Sequence, residues 1–379
     1  MHLPRFLSSA LLAGFALTAQ ASPTLPGVGT AMQAVIDRRE IAGVVTLVTT
    51  KDKILHLDAT GLADIASEKP MQTDALFWLA STTKPFTGVA ILMLQDEGKL
   101  NVADPVANYL PGFAKLQTSS GKPANITIGQ LLTHTSGIGT LDRSAYATTP
   151  DLEGLIDGIL AMPLQFEPGE RWKYSSSSYD VAGRIVEIVS GKRFDVFLQE
   201  RLFDPLAMKD TTFYPSEAQQ KRLATGYLKS RQTGLLRVQP LPFDASVLKS
   251  LPPVPAGGLF STAGDLARFC QMLLNRGVLD GKRYLSEESY HALTTIQTGA
   301  LPNNALGWGL GVYVVRPPHG VLSAGLSAGT FGHEGAWGTH LIVDPVKGLA
   351  YVMLVQRSNL PSNFDNEPIR AFLQAAVSP

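Results

Sequence analysis

The sequence predicts a mixed α/β (α+β) fold: one antiparallel sheet built from both ends of the chain, flanked by helices, with a mainly helical insertion. Three observations lead there. Strand-like runs lie near residues 42–60 and again beyond residue 306. Between them, apolar residues recur at helical spacing, broken by Pro- and Gly-rich loops. The chain holds 35 Gly and 25 Pro, a supply of turn residues that suits alternating element types.

Composition narrows the function before any motif is read. The 32 Lys plus Arg balance 32 Asp plus Glu, which removes the electrostatic case for nucleic acid or an anionic membrane as main partner. A hydrophobic content of 45% excludes disorder. The single Cys270 can form neither an intramolecular disulfide nor a cysteine-based zinc site.

The first residues read as an address. Arg5 supplies a positive start, residues 6–18 are mostly apolar, and Ala19-Gln20-Ala21 offers a small-x-small cleavage pattern. Residues 1–21 are therefore expected to be a signal peptide, and the mature chain a periplasmic or secreted protein with no integral membrane segment. Residues 31–39 then read as a short helix. Residues 42–50, rich in β-branched side chains, and residues 54–60 read as paired strands across a Lys-Asp-Lys turn. Ser81 opens an apolar helix that Gly98 stops. Further helices are expected over 180–190, ended by Gly191, and over 261–275, capped by Ser261 or Thr262. Residues 230–258 read as loop. Near the end, 307–315, 330–335, 338–343 and 349–356 read as strands, with a turn at 344–348, and 369–377 as a closing helix. The α/β part thus covers about 25–80 and 296–379, and the helical insertion about 81–295, within one unit spanning 22–379.

Two catalytic serine patterns occur. S-x-x-K appears three times, beginning at Ser81, Ser119 and Ser246. The chemistry needs the serine at a helix start and the lysine one turn on, on the same face, so that the amine reaches the hydroxyl. Ser119 lies in a polar Gly/Pro stretch and Ser246 in a proline-rich loop. Only Ser81 follows an apolar lead-in and opens an apolar helix, with Pro85 where a first-turn N–H has no acceptor to lose. The second pattern, G-x-S-x-G around Ser327, would need a strand before it, a helix after it, and an acid and then a histidine further on. Strands follow instead, and the only acid before His340 is Glu334, so Ser327 is expected to sit in a Gly-rich turn.

Activating Ser81 requires a base. Tyr174, after the loop 166–169, is a candidate, because a buried tyrosine near a lysine can be held as phenolate and take the serine proton. His333-Glu334-Gly335 lies on a predicted strand edge, where the glycine would let substrate backbone approach. Ser81-x-x-Lys84, Tyr174-x-Ser176 and His333-x-Gly335, in this order, resemble the class C β-lactamase and penicillin-recognising serine hydrolase family, which uses S-x-x-K, Y-x-N and K-T-G or H-x-G. The stretches 126–138, 166–179 and 256–266 look like it too, and the resemblance covers about 27–373.

The resemblance implies a β-lactamase/transpeptidase-like fold and an acyl-enzyme mechanism without cofactor or metal. Ser81 would be the nucleophile, Lys84 its proton shuttle and Tyr174 the general base. The amides of Ser81 and Ala336 would form the oxyanion hole. Ser176, His333, Gly335 and Trp337 would line the substrate site, Trp337 adding apolar surface. Two departures bear on substrate. Ser176 replaces the family's Asn and reaches less far. His333 and Glu334 replace the lysine and hydroxyl that hold a β-lactam's carboxylate, and hold it less well by charge alone. The implied substrate is a small acyl compound, an ester or D-amino-acid amide before a β-lactam. The rival is a non-hydrolysing penicillin- or peptidoglycan-binding protein. The seven histidines show no metal-ligand spacing, and His134 is expected to order a loop behind the pocket.

Overall fold

A computed structural model describes residues 23–118, 120–242, 248–303, 305–316, 325–361 and 366–377. The expected signal peptide, Ser119 and Ser246 lie outside the described residues. Helix α1 (Val28–Asp37) precedes strands β1 (Gly43–Thr49), β2 (Ile54–Asp64) and β3 (Lys69–Pro70). The late strands are β4 (Leu306–Trp308), β5 (Tyr313–Val315), β6 (Phe331–Glu334), β7 (His340–Asp344) and β8 (Leu349–Leu354). Together they form one antiparallel sheet in the order β4-β5-β6-β7-β8-β1-β2-β3. The two chain ends meet where β8 pairs with β1, Leu47 opposite Val352.

Strand alternation divides this sheet between two cores. Val44, Val48, Tyr351 and Met353 pack under α1 and the closing helix α8 (Glu367–Val377), against Met32, Val35, Ile369 and Phe372. Val45, Leu47, Val352 and Leu354 face the other way, into the larger core. That core includes the helices of the middle segment: α2 (Lys84–Asp96), α3 (Ile128–Leu132), α5 (Leu152–Leu160), α6 (Ser176–Ser190) and α7 (Ala263–Leu274). A short helix, α4 (Arg143–Thr148), buries none of its residues. Thr262 caps α7 by accepting the Asp265 N–H, and Gly191 ends α6 in the left-handed region at φ 69°.

Three expectations change. Residues 307–315 are a hairpin, not one strand: Gly311, at φ 119°, turns the chain between β4 and β5. That turn packs so closely on α2 that a Cβ on Gly88 would lie 2.2 Å from the Leu310 oxygen. The stretch 230–258 contains a strand, Leu236–Val238, paired with Tyr227–Lys229. Finally, Ser81 does not open the α-helix. It sits in a single 3-10 turn, Ala80–Thr83, and α2 begins at Lys84 with Pro85 in its first turn.

Candidate active site

Ser81 is positioned by the segment before it. Phe77–Trp78 pairs with Phe260–Ser261, and the Leu79 amide donates to the Leu259 carbonyl at 2.8 Å. Ala80, buried, then takes a left-handed φ of 47°. For a residue with a Cβ this costs on the order of 1–3 kcal/mol, and it persists because the surroundings over-determine it. The strain turns the chain sharply and leaves Ser81 half-buried at a cleft wall. The Thr339 hydroxyl donates to the Leu79 carbonyl at 2.8 Å and lies 3.0 Å from the Thr82 hydroxyl. The Ser81 turn is thereby tied to the β6–β7 connection.

Lys84, one turn on, points back at the serine. Its Nζ lies 3.2 Å from Ser81 Oγ and donates to the Ala256 carbonyl at 2.6 Å. The side chain is fully buried, and loss of solvation pulls the ammonium down to about 7, although Asp180 and Glu334 favour its charge. A large part of Lys84 is therefore neutral near pH 7.

Tyr174 stands on the other side of the serine, with Lys84 Nζ 4.8 Å from its ring centroid and a side-chain hydrogen bond to Ser81. Burial and the carboxyl of Glu334 push its phenol well above 10. This corrects the expectation of a resting phenolate: low-dielectric surroundings oppose that charge, and Lys84 is the group held near neutrality. His134 backs the tyrosine. Its ring stacks on Tyr174 at 4.3 Å and its Nδ1 accepts the Ser175 N–H at 3.1 Å. Burial drives its pKa well below 6.5, and the neighbouring Lys84 adds to that, so the ring is neutral.

His333 and Glu334 lie on β6, both buried. His333 Nδ1 is 2.8 Å from the Glu334 carbonyl, which assigns the proton to Nδ1 and leaves Nε2 as an acceptor without a partner among the described residues. Burial lowers this histidine to about 3 and raises Glu334 to about 8. At pH 7 the histidine is neutral and the carboxyl mostly protonated, so this strand offers no cation to a substrate carboxylate.

The cleft itself encloses about 270 Å³ and is lined by Ser81, Ser176, Ala336 and mainly apolar side chains, including Trp78, Leu141, Phe213 and Leu251. Ser176 is the first residue of α6, just past the Ser175 cap, and reaches the cleft from there. Ala336 is exposed at the turn after β6, and neither its amide nor that of Ser81 donates to a backbone carbonyl among the described residues.

Three predicted substrate contacts do not line the cleft, and His333, fully buried on β6, is the first of them. A Cβ on Gly335 would lie 2.2 Å from Thr339 Oγ1 and 2.3 Å from the Leu79 oxygen. The glycine admits the Ser81 turn, not a substrate backbone. Trp337 is buried in a satellite cluster with Leu76, Ala80 and Phe260, its ring 5.9 Å from Trp78, and it is Trp78 that faces the cleft. Ser327 sits in a turn followed by β6, its amide donating to Asp344 at 3.0 Å. Sequence reasoning missed Asp180 and Tyr146. The one available signal was an acidic residue one turn into the apolar helix that follows Tyr174-x-Ser176.

A serine hydroxyl facing a buried amine of lowered pKa, beside two amides without acceptors among the described residues, is the arrangement a serine hydrolase requires. A family profile described as Beta-lactamase matches residues 28–376, and the chain belongs to that family of serine hydrolases, which has esterase and peptidase members. It is 31% identical to Esterase EstB of Burkholderia gladioli, over 85% of this chain and 87% of that protein. It is 33% identical to Penicillin-binding protein 4 of Amycolatopsis lactamdurans, over 80% and 78%. The fold matches the solved structure of EstCE1, a hydrolase with promiscuous acyltransferase activity, with a TM-score of 0.82 at 21% identity, over 93% of this chain and 97% of that one.

Proposed function

We propose that this protein is an exported serine hydrolase that cleaves a carboxylic ester, or an amide of the D-amino-acid type, through an acyl-Ser81 intermediate. The observation that carries the reading is the Lys84 amine, buried, held near neutrality and 3.2 Å from Ser81 Oγ. Neutral Lys84 accepts the Ser81 proton, directly or through the Tyr174 hydroxyl, as Oγ attacks the substrate carbonyl. The Ser81 and Ala336 amides stabilise the oxyanion. Collapse of the tetrahedral intermediate expels the alcohol or amine, which takes the proton back by way of Tyr174. Water then attacks the acyl carbon and restores Ser81.

The mostly neutral His333–Glu334 edge and the apolar cleft favour an acyl ester over a β-lactam, whose carboxylate would lack a cation there. The name of the similar esterase supports the same choice. The test is turnover of p-nitrophenyl esters, nitrocefin and D-Ala-D-Ala peptides by the purified protein. Ester turnover should lead, Ser81→Ala should abolish it, and Ser327→Ala should leave it nearly intact; the reverse pattern for the two serines refutes the assignment. Export rests on residues 1–21 and is tested by sequencing the N-terminus of the mature protein, expected at Ser22.

A further inference from the structure

Asp180 lies on the inward side of α6, fully buried, yet it carries a carboxyl that no step above uses. Its Oδ2 accepts the Tyr146 hydroxyl at 2.5 Å, and the Ala256 N–H points to the same carboxyl. Oδ1 has no hydrogen-bond partner among the described residues. The segment Pro255–Ala256 is clamped between two helices. On the α2 side, Lys84 Nζ donates to the Ala256 carbonyl at 2.6 Å and Thr87 Oγ1 to the Pro255 carbonyl at 2.8 Å. On the α6 side, Gly183 lies one turn beyond Asp180, and a Cβ there would come within 2.1 Å of the Pro255 ring.

We propose that Asp180 is a positioning residue for this site: its carboxylate, held by Tyr146, anchors the Ala256 segment that aims the Lys84 amine at Ser81, and it sets the charge that amine carries. The inference rests on the acyl-Ser81 reading. Lys84 is faced by Asp180 and Tyr179 from α6, by Glu334 and His333 from β6, and by Tyr174 and His134 from the loops. Glu334, raised to about 8 by burial, is mostly protonated near pH 7, and both histidines are neutral. Asp180, raised by burial only to about 6, is the larger counter-charge acting on Lys84. Arg184, one turn along α6, is engaged by Glu153 and Glu187. Tyr146 lines the cleft, so the hydrogen bond that holds Asp180 lies directly behind the wall an acyl chain would touch.

The experiment is the rate of Ser81 labelling by a fluorophosphonate as a function of pH, for the wild type, Asp180→Asn and Tyr146→Phe. Removing the carboxylate charge disfavours the ammonium, so the acid limb of the Asp180→Asn profile should move down by roughly one pH unit, while the plateau falls about tenfold. Tyr146→Phe removes a donor that favours the Asp180 anion, so its limb should move the same way by less. This milder variant keeps the test open if Asp180→Asn does not fold. Profiles that superimpose on the wild type after scaling overturn the inference, because a structural role alone lowers the rate without moving the limb. A wild type that labels elsewhere than Ser81 overturns the hydrolase reading itself.

Discussion

Lys84→Met should abolish activity and at the same time stabilise the protein. The fall of the ammonium from 10.5 to about 7 reflects solvation lost on burial. At about 1.4 kcal/mol for each factor of ten, it amounts to roughly 5 kcal/mol of folding free energy at or below pH 7. Methionine fills a similar volume without that cost. It leaves the Ala256 carbonyl without its lysine donor, which takes back about 1–3 kcal/mol. The net gain should be about 2–4 kcal/mol near pH 7, read as a higher unfolding temperature by calorimetry. The sign with pH follows from linkage. Between the folded pKa near 7 and the unfolded value of 10.5, the unfolded chain binds the extra proton, so wild-type stability rises with pH across that window. The advantage of Lys84→Met should therefore shrink as pH rises from about 7 toward about 10. In the same buffers, wild-type kcat/KM for a p-nitrophenyl ester should climb through pH 7 and fall about tenfold per unit on the acid side. A flat profile from about pH 5.5 to about pH 8.5, or a Lys84→Met protein less stable than wild type at neutral pH, would refute the reasoning.

Other expectations test the supports of the site. Gly335→Ala places a methyl within 2.3 Å of the Leu79 oxygen, so the Ser81 turn must shift. A loss of about 1–3 kcal/mol of stability, with labelling of Ser81 largely lost, is the expected outcome. His134→Ala removes both the ring stacked on Tyr174 and the acceptor for the Ser175 N–H. Chemical denaturation should show about 2–4 kcal/mol of lost stability, and kcat should fall while KM changes little. Tyr174→Phe keeps the packing but removes the proton relay, so acylation measured by the p-nitrophenol burst should slow by about 10²–10⁴-fold.

Much of the framework was legible in the chain itself. The β-branched runs at both ends, and the turn chemistry between them, specify paired strands through local backbone preference and alternation. The order Ser81-x-x-Lys84, Tyr174-x-Ser176, His333-x-Gly335 singled out the side chains that converge, because a serine and a lysine one turn apart are a local feature. Likewise Gly191 and Thr262 mark their helix ends through single-residue conformational and capping preferences. Local signals also misled where long-range packing intervened. Ser81 has the pattern of a helix start, but the pairing of Phe77–Trp78 with Phe260–Ser261 and the strained Ala80 place it in a 3-10 turn instead. Gly335 looked like room for a substrate; the room is taken by Leu79 and Thr339, brought there by the return of the last strands.

What only the tertiary structure decided is the state of the charges. No spacing reveals that Lys84 is fully enclosed, that Tyr174 stays protonated, or that burial favours the neutral forms of Glu334 and His333. These follow from desolvation by side chains hundreds of residues apart in sequence. Asp180 illustrates the same limit: it became a neighbour of Lys84 only when α6 packed on the Pro255–Ala256 segment. The sequence alone thus determined which groups are present and the family they belong to. Their protonation, and hence which one can take a proton from Ser81, depends on how completely the fold removes them from water.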